Sequence, residues 1–160
     1  MLELMEWLES TGFSTAIREG TLYFPTLDGL HLFGISLMFG SISIFDLRLV
    51  GWIFKNDPVT EVYEQLIGWT YFGFGLVVLT GTLLFISEPV RCYQSWWYWG
   101  KMVLVILGGV NAKYFEWFTY KSVGDWNTSP NLPGMARMAG LASLVIWTAV
   151  ITVGRFFAFL

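Results

Sequence analysis

PTLDGLHLFGISLMFGSISIFDLR, residues 25–48, decides the fold. It opens on Pro25, which suits the first turn of a helix because the N–H it lacks would have no partner there. Its apolar residues run on without the alternation of a membrane strand. A bilayer core of roughly 30 Å needs about 20 helical residues, so the stretch is long enough to cross one. Leu49 to Phe54 are expected to extend it. Three more stretches read the same way. One runs from Val62 to Ile86, set off by Asp57-Pro58 before it and Glu88-Pro89 after it. The next runs from Trp96 to Phe118. The last runs from Met135 to Phe159, after the loop NTSPNLPG at 127–134. The sequence thus predicts an all-α fold, a four-helix transmembrane bundle, with no internal repeat.

Composition points the same way. Of 160 residues, 55% are hydrophobic, 19% aromatic and only 13% charged, against roughly 25% charged in a soluble domain. A water-soluble fold of this length has too little interior to hide that apolar excess. The net charge is -3 and no basic patch is present, which argues against nucleic acid as a partner. The single cysteine, Cys92, closes no disulfide within one chain. The single histidine, His31, excludes an all-histidine site within one chain.

The first residues, MLELMEWLES, carry Glu3, Glu6 and Glu9 and lack the basic start of a cleavable signal. Leu2, Met5 and Leu8, with Trp7 nearby, would form the apolar face of a short interfacial helix. The other reading is a frayed terminus. Residues 1–24 are therefore expected to be an interfacial segment and 25–160 the membrane domain. Trp96, Trp97, Tyr98 and Trp99 start the third stretch, and Trp117, Tyr120 and Trp126 follow its other end, as in an aromatic belt. A quinone or haem edge stacking on that belt is the alternative use. Arg48, Lys55, Lys113, Lys121 and Arg137 fall in or near the first and third connections. Arg18 and Arg91 fall on the other side, with Lys101 and Arg155 inside helix ends there. The positive-inside rule then favours cytoplasmic connections and periplasmic termini.

Charges inside a span are costly and usually face the protein interior. At 1.5 Å per residue, His31, Glu88, Lys101 and Arg155 all fall within roughly two helical turns of the outer face. Gly34, Gly81, Gly100 and Gly154 fall at that level too. Glycines let helices approach, and they also leave a flat slot beside an imidazole. Histidine, glycines and two cations are what haem b wants: His31 for the iron, Lys101 and Arg155 for the propionates. A sixth ligand is Met102 or a second His31 across a homodimer axis; otherwise the iron is five-coordinate. Competing readings are a bare metal ion or quinone, or a cofactor-free bundle in which His31 hydrogen-bonds to Glu88 or a backbone carbonyl.

At the other end, Asp46 and Arg48 are two residues apart and cannot pair with each other. Asp46 is expected to pair with Lys113 or Arg137, and Arg48 with Glu64 or Glu116, near Asn111. Such a network is a structural clamp, a proton-relay entrance or an anionic-lipid site. Gly29, Ser36, Gly40 and Ser43, and Ala136, Gly140 and Ser143, are stripes of small residues that favour tight contacts, within one chain or in a homo-oligomer.

The segments HLFGISLMFGSISIFDLRLVGW (31–52), LTGTLLFISEP (79–89), KMVLVILGGVNAKYF (101–115) and SLVIWTAVITVGRFFAF (143–159) resemble a largely uncharacterised family of small bacterial inner-membrane proteins with four helices. The likeness runs from about Thr21 onward. It implies His31, Gly34, Asp46, Arg48, Thr80, Gly81, Lys101, Asn111, Ala112, Gly154 and Arg155 as signature positions. It implies fold and location but no reaction. Glu116 and Trp117 stand where relatives more often place a histidine. The function expected is a membrane subunit that binds haem b through His31 and passes or senses electrons with a redox partner. A cofactor-free scaffold that self-assembles in membrane lipid comes second, and a channel or transporter third. A hydrolase is disfavoured, because His31 has no nucleophile beside it.

Overall fold

The computed structural model describes residues 1–159; Leu160, last in the expected membrane domain, lies outside the described residues. Every regular element is helical, and no strand occurs among the described residues. Two short helices, α1 (Leu2–Glu9) and α2 (Gly12–Glu19), come first. Three long ones follow at intervals: α3 (Tyr23–Val50), α4 (Val59–Ser87) and α8 (Gly134–Phe159). Between α4 and α8 lie α5 (Pro89–Gln94), α6 (Trp96–Tyr114), a π-helical turn (Phe115–Thr119), a 3-10 turn (Tyr120–Ser122) and α7 (Val123–Trp126).

Helices α3, α4 and α8 are long and apolar enough to cross a membrane, which suggests a membrane protein. In none of them is more than 28% of the apolar window buried. Phe72, Val78, Leu79 and Val145 stand out from the surface instead. Water would penalise that arrangement and lipid does not.

Helix α3 ends two residues past Arg48. The expected extension through Phe54 does not form, because Gly51 adopts the left-handed conformation, φ 86°. Its N–H bonds the Arg48 carbonyl and the next N–H, of Trp52, bonds Leu47. This glycine stop satisfies the orphan carbonyls of the last turn.

Helix α3 packs on both α4 and α8, and α8 packs on α6. The close approaches are made by glycine. A Cβ on Gly73 would lie 2.7 Å from the Met38 backbone nitrogen, and one on Gly140 would lie 2.9 Å from the Asp46 carbonyl. A Cβ on Gly108 would meet the Trp147 ring at 3.0 Å. The stripe of Ala136, Gly140 and Ser143 is buried as expected, but Gly29 and Gly40 face open space. Met38, Trp147 and Val150 form one apolar core, and Leu49, Val59, Phe115, Trp126, Leu132 and Ala136 a second beneath the connections.

Candidate functional site

Two polar regions stand at opposite ends of the long helices. The first surrounds His31, which is only 8% exposed. Its Nδ1 lies 2.9 Å from the Thr80 Oγ1. The Thr80 hydroxyl has one proton and donates it to the Leu76 carbonyl at 2.6 Å. It must therefore accept from the imidazole, which puts the ring proton on Nδ1 and leaves Nε2 with a free lone pair.

The expected slot beside this ring is filled. A Cβ on Gly34 would meet Val77 at 3.1 Å and the Gly73 carbonyl at 3.2 Å, so this glycine serves the α3–α4 crossing. A Cβ on Gly81 would lie 3.1 Å from the imidazole itself, so the ring occupies the notch. Lys101 is half-buried, with its stem across Gly154 and no carboxylate within ion-pair distance among the described residues. Met102, the next residue, projects about 100° further round α6 and is half-buried. Arg155 does not join the group. It is exposed, and its guanidinium lies over the Phe159 ring at 4.8 Å. Long cationic side chains near a helix end reach outward in this way. Glu88 pairs with Arg91 at 3.0 Å, so Thr80 replaces it as the histidine's partner.

The N-terminal helices cap this end. The Ser87 carbonyl, at the end of α4, accepts from the Ser14 hydroxyl at 3.3 Å and from Arg18 at 3.2 Å. The Glu9 carboxylate accepts the Val90 N–H, in the first turn of α5. Helix termini leave such groups unpaired, and residues 9–18 supply the partners. Sequence reading gave α1 an interfacial role but missed this capping. The signal was there in Thr11, whose side chain accepts the Ser14 N–H as a helix N-cap.

The second region is at the connection-bearing end. Arg48 is 1% exposed. It makes neither of its expected pairs: Nε and Nη2 donate to the Asp57 carbonyl at 3.2 and 2.8 Å. The turn at Gly51 swings the following loop back over the guanidinium, and a backbone carbonyl satisfies it there. Glu116 sits in the π-helical turn, where an extra residue per turn shifts the direction of side chains. Its Oε1 accepts from the Tyr63 and Tyr71 hydroxyls at 3.3 and 3.1 Å, and its Oε2 from Lys113 at 2.7 Å. Lys113 is thereby engaged, and Asp46 gains no cation. Glu64 and Arg137 are exposed and make no ion pair among the described residues. Asn111 Nδ2 donates to the Ala139 carbonyl at 3.1 Å and ties α6 to α8. Asp46 is 4% exposed, and its Oδ2 has no hydrogen-bond partner. The expected charge network is therefore two separate groups with an orphan carboxyl oxygen between them.

An all-helical chain with three membrane-length apolar helices is the class these observations define. A family of unknown function, DUF6644, matches residues 4–160, and the chain belongs to it. The match takes in α2 and all but the first two residues of α1, which lie before the segments that carried the sequence resemblance. No match to the chain was found among curated proteins or among solved structures.

Proposed function

We propose that the protein is a four-span subunit of the bacterial inner membrane that holds haem b through His31 and passes or senses electrons. The observation that carries this reading is the tautomer of His31. A ligating histidine generally donates its second ring N–H to a fixed partner, which sets ring orientation and raises basicity. Thr80 fills that role, and Nε2 keeps its lone pair. Lys101, without a carboxylate, is a ready partner for a propionate. Nε2 would hold the iron, since the Gly81 notch already holds the imidazole, and Met102 or His31 of a second copy would supply a further ligand if one is bound.

Helix α6 is the fourth span in this reading. Its 19 residues reach about 28 Å at 1.5 Å each. Val103, Ile106, Leu107 and Val110 form an exposed apolar face, and tryptophans flank both ends. The termini are periplasmic by the distribution of Lys and Arg. The membrane domain is residues 25–160. Homo-oligomers and a redox partner are the associations expected.

The test is an absorption spectrum of protein purified after haem-replete expression. A Soret band that disappears in His31→Ala, with helical content retained, supports the assignment. Colourless, iron-free protein ends it and leaves the self-assembling scaffold.

A further inference from the structure

A cavity of about 710 Å³ lies among α3, α4, α6 and α8, well away from His31. Helix α6 has no packing with α4 comparable to its packing with α8, and the cavity occupies that gap. Its walls are mostly apolar, with Phe45, Phe74, Phe115 and Trp147 among them and the Lys113–Glu116 pair at one side. Asp46 also lines it, more than nine-tenths buried, with the Ser143 hydroxyl beside its carboxyl and Oδ2 left without a partner. Gly109 faces it, and a Cβ there would meet nothing within 4 Å.

An orphan carboxyl oxygen in an apolar chamber is costly whichever protonation state it takes. As a carboxylate it needs a donor, and as an acid it needs an acceptor for its O–H. A ring oxygen that is a hydroxyl when reduced and a carbonyl when oxidised meets either need. A flat ring also suits aromatic walls, where offset and edge contacts are favourable. An attached alkyl or prenyl tail has an exit between α4 and α6. Asn111, with one Nδ2 N–H beyond the bond to Ala139, and Tyr71, whose oxygen can still accept, also line the chamber and can meet the far ring oxygen.

We propose that this chamber binds a lipid-soluble benzoquinone or its quinol, with one ring oxygen on Asp46. The site rests on the four-span reading, because α6 must stand in the membrane beside α4. It does not involve His31 and holds or fails independently of haem.

The experiment is equilibrium binding of a decyl-tailed benzoquinone to the full chain, delipidated in detergent. The result expected is saturable binding at one site per chain. Gly109→Trp fills the chamber and weakens binding at least about tenfold, with the thermal midpoint unchanged; Asp46→Leu weakens it by about the same factor. Should Asp46→Leu fail to fold, Gly109→Trp and Asp46→Asn carry the test, the latter keeping most of the affinity. Unchanged affinity in Gly109→Trp overturns the proposal. So does equal displacement by diacylglycerol, which makes the gap an acyl-lipid groove. So does a disulfide between copies of Gly109→Cys, which puts a second chain there. A missing Soret band alongside intact quinone binding would sink the haem reading and leave this one standing.

Discussion

The two ends of the long helices handle buried polarity in opposite ways. At the His31 end most buried groups have a local partner, the exceptions being the Lys101 ammonium and His31 Nε2. The imidazole rests in the Gly81 notch and on Thr80, and α1 and α2 take up the loose backbone groups of α4 and α5. At the other end α4 and α6 stand apart, with Glu116 and two tyrosines bridging the gap and Asp46 Oδ2 unpaired. The closed end commits most of its polar groups to holding helices together and keeps only Nε2 and the Lys101 ammonium free, whereas the open end leaves a carboxyl oxygen unpaired beside an unfilled gap.

The largest effect should come from disturbing the closed packing. Gly73→Leu drives a side chain into the Met38 backbone, where its Cβ alone would lie at 2.7 Å. Backbone cannot step aside as a flexible side chain does. The variant should lose about 3 kcal/mol or more, beyond the ordinary range for overpacking. Gly109→Leu, on the same type of helix but facing the open chamber, should lose under about 1 kcal/mol. Reversible unfolding of the two variants in mixed micelles measures the contrast, and equal losses would erase it.

Next comes Arg48→Ala. It removes two hydrogen bonds to the Asp57 carbonyl and leaves that acceptor and a side-chain-sized void. A loss of about 2–4 kcal/mol is expected, with Arg48→Lys recovering part of it. Protease sensitivity of the 51–58 loop should rise in parallel. A stable, protected loop in Arg48→Ala would show that the guanidinium is not its anchor.

Thr80→Val is smaller in stability and sharper in meaning. It takes away the acceptor for Nδ1–H, at a cost of about 1–2 kcal/mol. If His31 ligates haem, the same change should weaken haem binding about 10- to 100-fold, as loss of an outer partner does at metal sites. Thr80→Ser should restore both. A Soret band with the same strength and haem affinity in Thr80→Val would detach Thr80 from any ligating role.

These contrasts follow the line between what was legible in the sequence and what was not. The long helices were legible because hydrophobic length and Pro, Gly and Trp boundaries are local signals. Pro25, Pro58, Pro89 and the stretch at 127–134 place the breaks within a few residues of where they occur. Partner choice was not legible. Arg48 could not be assigned to the Asp57 carbonyl without knowing that Gly51 turns the chain back. Glu116 could not be assigned to Tyr63 and Tyr71 while α6 was taken as a regular helix through Phe118, because the π-helical turn re-aims it. Gly34 and Gly81 were read as leaving a slot. Spacing alone does not reveal that a helix backbone and the histidine's own ring fill those notches. Gly73 and Gly108, which make close contacts with α3 and α8, carry no mark distinguishing them from the open Gly29 and Gly40.

The mildest perturbation leaves the sequence untouched and asks whether the His31 end is as closed as it looks. Cys92 lies in α5, 4% exposed, and α1 packs against α5. Burial pushes its thiol up from the ordinary 9.0 to about 11, and Glu88 and Glu9 push the same way; Lys101 and Arg91 pull it back only in part. Thiolate is the reactive form. At pH 8 that rise cuts its fraction about a hundredfold, before any steric shielding. Iodoacetamide labelling followed by mass should therefore be slow at pH 8 and climb about tenfold per pH unit until near pH 11. Because the thiol's pKa is raised in the fold, its protonated form is the one the fold favours, so stability should begin to fall only above pH 9. Removing residues 1–19 should uncover the sulfur and bring the rate towards that of a free thiol, with the long helices retained. A Cys92 that reacts at the free-thiol rate in the intact chain would mean that α1 and α2 are not seated, and the asymmetry between the two ends would vanish with them.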